Sequence, residues 1–207
     1  MVKLGDVFRI DNTHILACGD LEAGHGRKLI EQLGTPDLTY CDPPWDMRVE
    51  SQMLKRAGVS KDGRSIQTFF EALIDTVRET RGPVYLEMGK QNMQLLISMI
   101  EESGGEILRI WDIFYGKRNP IHLVKAAWQP VPFVAPALEG QDDRYTPGIV
   151  IATEMPKLVF DPCNGREETT FKTARKMGVG FIGMEIDAEK VERTLKKKNS
   201  EKVGSLL

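Results

Sequence analysis

Asp37-Leu38-Thr39-Tyr40-Cys41-Asp42-Pro43-Pro44-Trp45 is an apolar run that stops abruptly on an acid and two prolines. The first five residues predict a buried strand, and consecutive prolines cannot extend a ladder because they lack an N–H donor. A rigid turn at the carboxyl edge of a sheet is therefore expected, the place where open α/β folds bind their ligands. Such a turn aims the Asp42 carboxylate, the Pro43 carbonyl and the Trp45 ring at one point, with Pro44 stiffening the bend. Two acceptors beside a flat π surface suit a planar base whose exocyclic amine donates two N–H bonds while the ring stacks.

On either side of this stretch, short β-rich runs alternate with amphipathic helical patterns. Strands are predicted over residues 7–10, 14–18, 37–41, 84–88, 107–114, 126–135, 158–160 and 180–185. The run at 126–135 contains Trp128, Pro130 and Pro132 and is expected at an edge or a bulge. Leu29, Ile30 and Leu33 mark one helix, Ile66 through Val77 the clearest one, and Met93, Leu96, Ile97 and Ile100 another. Thr146-Pro147 opens a short helix, a further helix ends at Met177, and a basic amphipathic helix spans 188–198. The pattern predicts a Rossmann-like α/β fold: a mostly parallel sheet with helices on both faces. No repeat or low-complexity linker interrupts it, so residues 1–207 are expected to form a single domain.

Composition narrows the function classes. The 207 residues are 41% hydrophobic and 28% charged with a net charge of -2, ordinary globular proportions without the basic excess of a dedicated polyanion binder. No apolar run approaches the roughly 20 residues of a membrane span, and the first residues lack a signal-peptide core. A cytoplasmic protein without a membrane partner is expected. Cys18, Cys41 and Cys163 show no C-x-x-C spacing and the three histidines are scattered, so neither a disulfide framework nor a metal site is predicted. Cys18 and Cys41 read as small buried hydrophobes.

A second motif lies far downstream. Residues 159–170, Val-Phe-Asp-Pro-Cys-Asn-Gly-Arg-Glu-Glu-Thr-Thr, lead from a strand through a Gly-containing loop into a helix, and 181–187 form a second strand with Glu185 near its tip. This is the layout of a mononucleotide-binding half, in which a helix N-terminus faces an anionic group and the strand-tip acid accepts from ribose hydroxyls.

Together, Asp42-Pro43-Pro44-Trp45, Asp161-Pro162-Cys163-Asn164-Gly165 through Thr170, and the 181–187 strand resemble the S-adenosylmethionine-dependent amino DNA methyltransferases. The order, catalytic motif first and cofactor loop near the C-terminus, resembles the circularly permuted β class. Residues 5–20 resemble the strand region before the catalytic motif, and 127–131 a later strand near the target base. The resemblance implies that Asp42, Pro43, Pro44 and Trp45 hold a flipped base. It implies that Asp161, Pro162, Cys163, Gly165, Thr169 and Thr170 line the methionine end of the cofactor, that Glu185 binds its ribose, and that Asp20 lies near its adenine.

The chain departs from that pattern in two places. Gly165-Arg166-Glu167-Glu168 replaces the family's Gly-x-Gly before Thr-Thr, bringing side chains where backbone approaches the cofactor, with Arg166 as a candidate carboxylate partner. Residues 143–155 lack the family's His-Pro-x-x-Lys-Pro stretch.

The resemblance implies methyl transfer to an exocyclic amine, adenine N6 ahead of cytosine N4, after base flipping. Carbon methylation is not expected, since Cys41 precedes the acid at a strand end instead of following a proline. Residues 48–64 carry Arg48, Lys55, Arg56, Lys61 and Arg64 at a net charge of +3 directly after the catalytic turn, and are expected to form a flexible loop that contacts nucleic-acid phosphates. No separate target-recognition domain is evident, so sequence choice is expected to be loose or shared with a partner subunit, and the resemblance makes a homodimer the other possible assembly. A catalytically silent nucleic-acid-binding subunit of a methyltransferase complex, and an RNA methyltransferase, are the alternatives.

Overall fold

The computed structural model of the protein describes residues 1–116, 119–165, 168–196 and 200–206. Arg166 and the Lys197-Lys198 pair lie outside the described residues. Nine strands form one sheet: β1 (Asp6–Arg9), β2 (His14–Cys18), β3 (Leu38–Cys41), β4 (Val84–Met88), β5 (Glu106–Tyr115), β6 (Asn119–Ala127), β7 (Leu158–Asp161), β8 (Gly180–Glu185) and β9 (Glu201–Ser205), in the order β5-β6-β4-β3-β7-β8-β2-β1-β9. The five central strands, β4, β3, β7, β8 and β2, run parallel, while β6 and β5 on one side and β1 and β9 on the other pair antiparallel. The sheet is thus mixed, with its parallel part in the middle. That follows from burial: all residues of β3 and β4 are buried, as strands covered on both faces must be.

Helices α1 (His25–Leu33), α2 (Met47–Ala57), α3 (Ile66–Val77), α4 (Met93–Glu102), α5 (Thr146–Glu154), α6 (Thr169–Lys176) and α7 (Ala188–Lys196) join the strands. One core cluster packs Leu29, Phe70, Leu73 and Ile100 against Val84, Leu86 and Met88. The other packs Val150, Phe171 and Val191 against Tyr40, Tyr85 and Phe181. Helices α1, α3 and α4 therefore cover one face and α5, α6 and α7 the other. The α3 boundary follows its chemistry, because the Ser65 hydroxyl accepts from Thr68 N at 3.1 Å while Thr68 Oγ1 accepts from Ser65 N at 2.9 Å, a reciprocal cap.

Two sequence expectations need correction, and one strand is added. The strand expected over 126–135 lies earlier, at Asn119–Ala127, because an interior strand must donate on both sides and Pro130 and Pro132 cannot. The segment after it is tied down by wholly buried Lys125, whose Nζ donates to Val134 O and to Glu154, each at 2.7 Å. The expected loop over 48–64 is helical through Ala57, with Asp46 capping it by accepting from Val49 N at 2.8 Å. The polar tail contributes β9, an edge strand too exposed to show a hydrophobic signature.

The chain leaves β3 through α2 and α3 to β4 on one side, and leaves β7 through α6 to β8 on the other. Neighbouring β3 and β7, paired at Leu38↔Val159 and Thr39↔Phe160, form the topological switch point, so a crevice opens above their carboxyl ends.

Entry to β4 is sterically fixed at Gly82, where an added Cβ would lie 1.8 Å from the Asp37 carbonyl oxygen. Gly82→Ala should destabilise the protein by about 1–3 kcal/mol and lower Tm by roughly 2–12 °C in thermal unfolding; an unchanged Tm would contradict this packing.

Candidate active site at the switch point

Two cavities meet above the tips of β3, β7 and β8. The larger, about 320 Å³, is lined by residues including Tyr40, Asp42, Glu87, Tyr115, Asp143 and Asp161, together with the 163–165 loop and Glu168, Thr169 and Thr170. The smaller, about 40 Å³, is lined by Gly19, Asp20, Pro44, Glu50, Arg64, Pro162, Met184 and Glu185 among others. Cys163 borders both. The turn at 42–44 and the loop at 161–165, remote in sequence, therefore stand side by side.

Within the turn, Trp45 Nε1 donates to Asp42 Oδ1 at 3.2 Å. The indole lies over Gly89, where an added Cβ would come within 3.1 Å of the ring, and meets Tyr115 edge-on at 5.4 Å between centroids. Its backbone carbonyl accepts from Asn92 Nδ2 at 2.7 Å. Trp45 is thus braced from three sides and half-buried. Tyr115, 46% exposed, is the more open ring at the cavity mouth; as the last residue of β5, outside both motifs, it gave no sequence signal.

The large cavity is crowded with acids. Crowding by surrounding protein atoms and repulsion from Asp143 raise the Asp42 carboxyl above the usual carboxylate range, with the Trp45 hydrogen bond opposing, while its side chain stays open to the cavity. Burial likewise pushes Asp161 up to about 7, against hydrogen bonds from Thr170 and from Cys163 N at 3.1 Å. Glu87 is raised well above the usual carboxylate range, chiefly by burial and then by Asp42, although it accepts from Tyr40 Oη at 2.5 Å. Tyr40 also meets the Thr146 hydroxyl. Neither Glu87 nor Tyr40 was singled out from sequence, since both sit inside strands that read as core.

The described part of the loop after β7 is shaped by its backbone. Asn164 N donates to Met184 O at 2.8 Å, and Gly165 takes a φ of 58°. Glu168 sits at a φ of 53°, a left-handed conformation that costs a non-glycine residue about 1 kcal/mol. Its side chain turns towards α7 and accepts from Thr194 Oγ1 at 2.5 Å. Buried Asn164 presents an Oδ1 that has no hydrogen-bond partner among the described residues, so the cavity wall carries an unmet acceptor.

At the small cavity, Glu185 accepts from Asp187 N at 2.9 Å and from Lys190 Nζ at 3.1 Å. Asp20 faces Arg64 in a two-pronged pair at 2.6 and 3.2 Å, and Arg64 also donates to Glu22 at 2.6 Å. Arg64, expected among the nucleic-acid contacts, is therefore turned inwards, because the acids nearby offer it better partners than solvent does. Arg48, Lys55, Arg56 and Lys61 are not buried, and Arg48, Lys55 and Lys61 line a groove of about 600 Å³ with Ser51 and Ser60. His25 starts α1 and its Nδ1 accepts from Asp20 N at 3.1 Å. Cys18 and Cys41 are buried free thiols.

No protein-family model matches the chain, and no curated protein matches it either. Solved structures do. M1.HpyAVI, solved alone and as a SAM complex, superposes with a TM-score of 0.61 at 13% identity over 95% of this chain and 98% of that one. TTHA0409 from Thermus thermophilus, named as a candidate DNA modification methylase, gives a TM-score of 0.56 at 12% identity over 99% of each chain. Its complex with S-adenosyl-L-methionine gives 0.56 at 10% identity over 95% of this chain and 93% of that one. At these identities the likeness shows a shared Rossmann-like fold over nearly the whole chain.

Asp161 provides a pH test. Its folded value of about 7 lies above the roughly 3.9 of an unfolded aspartate, so the folded state holds the proton more tightly. Its contribution to stability is present below about pH 4 and is lost as pH rises towards 7. Between pH 5 and 7.5, Asp161→Asn should therefore flatten the fall of Tm relative to the native chain; parallel curves would show that Asp161 does not titrate in this range.

Proposed function

We propose that the protein is an S-adenosylmethionine-dependent methyltransferase that modifies an exocyclic amine of a DNA base, adenine N6 in preference to cytosine N4. The observation that carries this reading is the juxtaposition, on paired strands at the switch point, of the Asp42-Pro43-Pro44-Trp45 turn with residues 161–165 and 168–170. The fold shared with SAM-complexed M1.HpyAVI and TTHA0409 supports it.

The residues present fit the cofactor. A cavity walled by Asp42, Glu87, Asp143 and Asp161 favours a ligand carrying positive charge, and the unmet Asn164 Oδ1 would accept from an ammonium group. Its volume falls within the roughly 300–1,000 Å³ of small-molecule sites. Asp161, Pro162, Cys163, Gly165, Thr169 and Thr170 would surround the methionine portion, with Glu185 and Asp20 at the nucleoside end. When bound, S-adenosylmethionine supplies a methyl group made electrophilic by its sulfonium.

The chain's own groups orient the other reactant. Asp42 and the Pro43 carbonyl would accept both amine N–H bonds, which favours a pyramidal nitrogen whose lone pair is free for in-line attack. Asp42, open to the cavity and raised above the usual carboxylate range, is suited to take the proton released after transfer. Trp45 and Tyr115 would flank a base rotated out of the duplex. Arg48, Lys55, Arg56 and Lys61 on and after α2 would meet phosphates. DNA is the proposed substrate ahead of RNA, and a second copy or a partner subunit would complete site selection.

A second reading, a silent subunit of a methyltransferase complex, is favoured by one feature: the nucleoside-end cavity of about 40 Å³ holds only a few waters with Arg64 in place. Incubation with labelled S-adenosylmethionine and unmethylated DNA, digestion to nucleosides and mass spectrometry separates the two. N6-methyladenine is expected, and Asp42→Ala should reduce its formation at least about 100-fold. Absence of any methylated nucleoside on duplex DNA, single-stranded DNA and RNA would favour the silent subunit.

A further inference from the structure

Glu50, on the inward face of α2, is an orphan. It is 3% exposed, it lines the small cavity, and neither carboxylate oxygen has a hydrogen-bond partner among the described residues. Its acidic neighbours are all served: Glu22 accepts from Arg64 at 2.6 Å and from Thr68 Oγ1 at 2.7 Å, Asp20 holds both guanidinium prongs, and Glu185 has Asp187 N and Lys190. A buried carboxyl without a donor is costly, and proteins keep such a group where a ligand supplies the missing bond. Leu21, Leu54, Phe69 and Met184 give the same cavity apolar walls, the surroundings a flat heterocycle requires.

We propose that Glu50 is a binding residue for the nucleoside end of the cofactor, accepting a hydrogen bond from the exocyclic amine of its purine, with Arg64 as the closure that must swing aside to admit it. This rests on the methyltransferase reading above and adds a residue outside both sequence motifs. Asp20, the acid expected near the purine, is held by Arg64, so the acceptor without a partner is Glu50. Burial, with repulsion from Glu22 and a carboxyl-to-carboxyl hydrogen bond to it, pushes the Glu50 carboxyl up to about 7, so in the free protein a proton shared with Glu22 stands in for the missing donor.

Calorimetric titration of the full-length protein with S-adenosylhomocysteine and with S-inosylhomocysteine, which lacks the amine, tests the assignment without relying on turnover. The native chain should bind S-adenosylhomocysteine at least about 10-fold more tightly than the inosyl analogue. Glu50→Ala should lose about 10- to 100-fold of the S-adenosylhomocysteine affinity and bind the two alike. Without ligand, Glu50→Gln should melt no lower than the native chain, because it removes a charge that has no donor. Unchanged affinity and discrimination in Glu50→Ala, or a lower Tm in Glu50→Gln with affinity retained, would make Glu50 structural and overturn the assignment while leaving the methyltransferase reading intact. If the native chain binds neither compound, that reading fails and the assignment falls with it.

Discussion

The parallel pairing of β3 with β7 is the constraint on which the rest of the structure depends. It joins residues far apart in sequence through Leu38↔Val159 and Thr39↔Phe160, and it does so where the chain departs to opposite sides of the sheet. Both strands are buried, so the polar side chains within β3 are hydrogen-bonded, Thr39 to Thr80 and Tyr40 to Glu87, and the acids Asp42 and Asp161 stand at the tips. Two prolines after β3 and the Cys163–Gly165 bend after β7 then turn the chain away, leaving a crevice whose smaller cavity is walled by α2 and Arg64 of the β3-to-β4 crossover. The same pairing explains why Cys163 borders both cavities and why Asp42 and Asp161 feel each other's charge.

Electrostatics at this crevice oppose folding as much as they assist it. Asp42, Glu87, Asp143 and Asp161 face one space, and each is raised above the usual carboxylate range, Glu87 and Asp161 chiefly by burial. Such crowding is tolerated where a positively charged ligand completes the charge balance. At the smaller cavity the protein supplies its own cation: Arg64, 17% exposed, sits between Asp20 and Glu22 at 2.6 Å from each. Truncating one partner of a pair this buried strands the others, so Arg64 reads as both a stabiliser of the empty site and a competitor for it.

Much of this was legible in the sequence for definite reasons. Ile66 through Val77 repeats its apolar residues at helical spacing after a Ser cap, and the helix has those bounds. The Asp-Pro-Pro-Trp turn declared itself because two prolines admit few conformations. What escaped was set by tertiary context. Lys125 looks like a surface residue, yet lies wholly buried against Glu154 and anchors the proline-rich segment that passed for a strand. Met47–Ala57 was hidden because its charged residues suggested a loop, while its burial is narrow, limited to Glu50 and Leu54. Strand β9 exists only as a partner for β1. Glu50, Glu87 and Tyr115 belong to no motif, and only the folded chain brings them to the crevice.

The central claim is that the tips of β2, β3, β7 and β8 form one ligand site. Hydrogen exchange with and without S-adenosylhomocysteine tests it most directly. The account predicts slowed exchange at residues 19–22, 42–50, 161–165 and 185–187 together, with β9 and the β5 edge unchanged. No slowing, or slowing at only one of these segments, would contradict it.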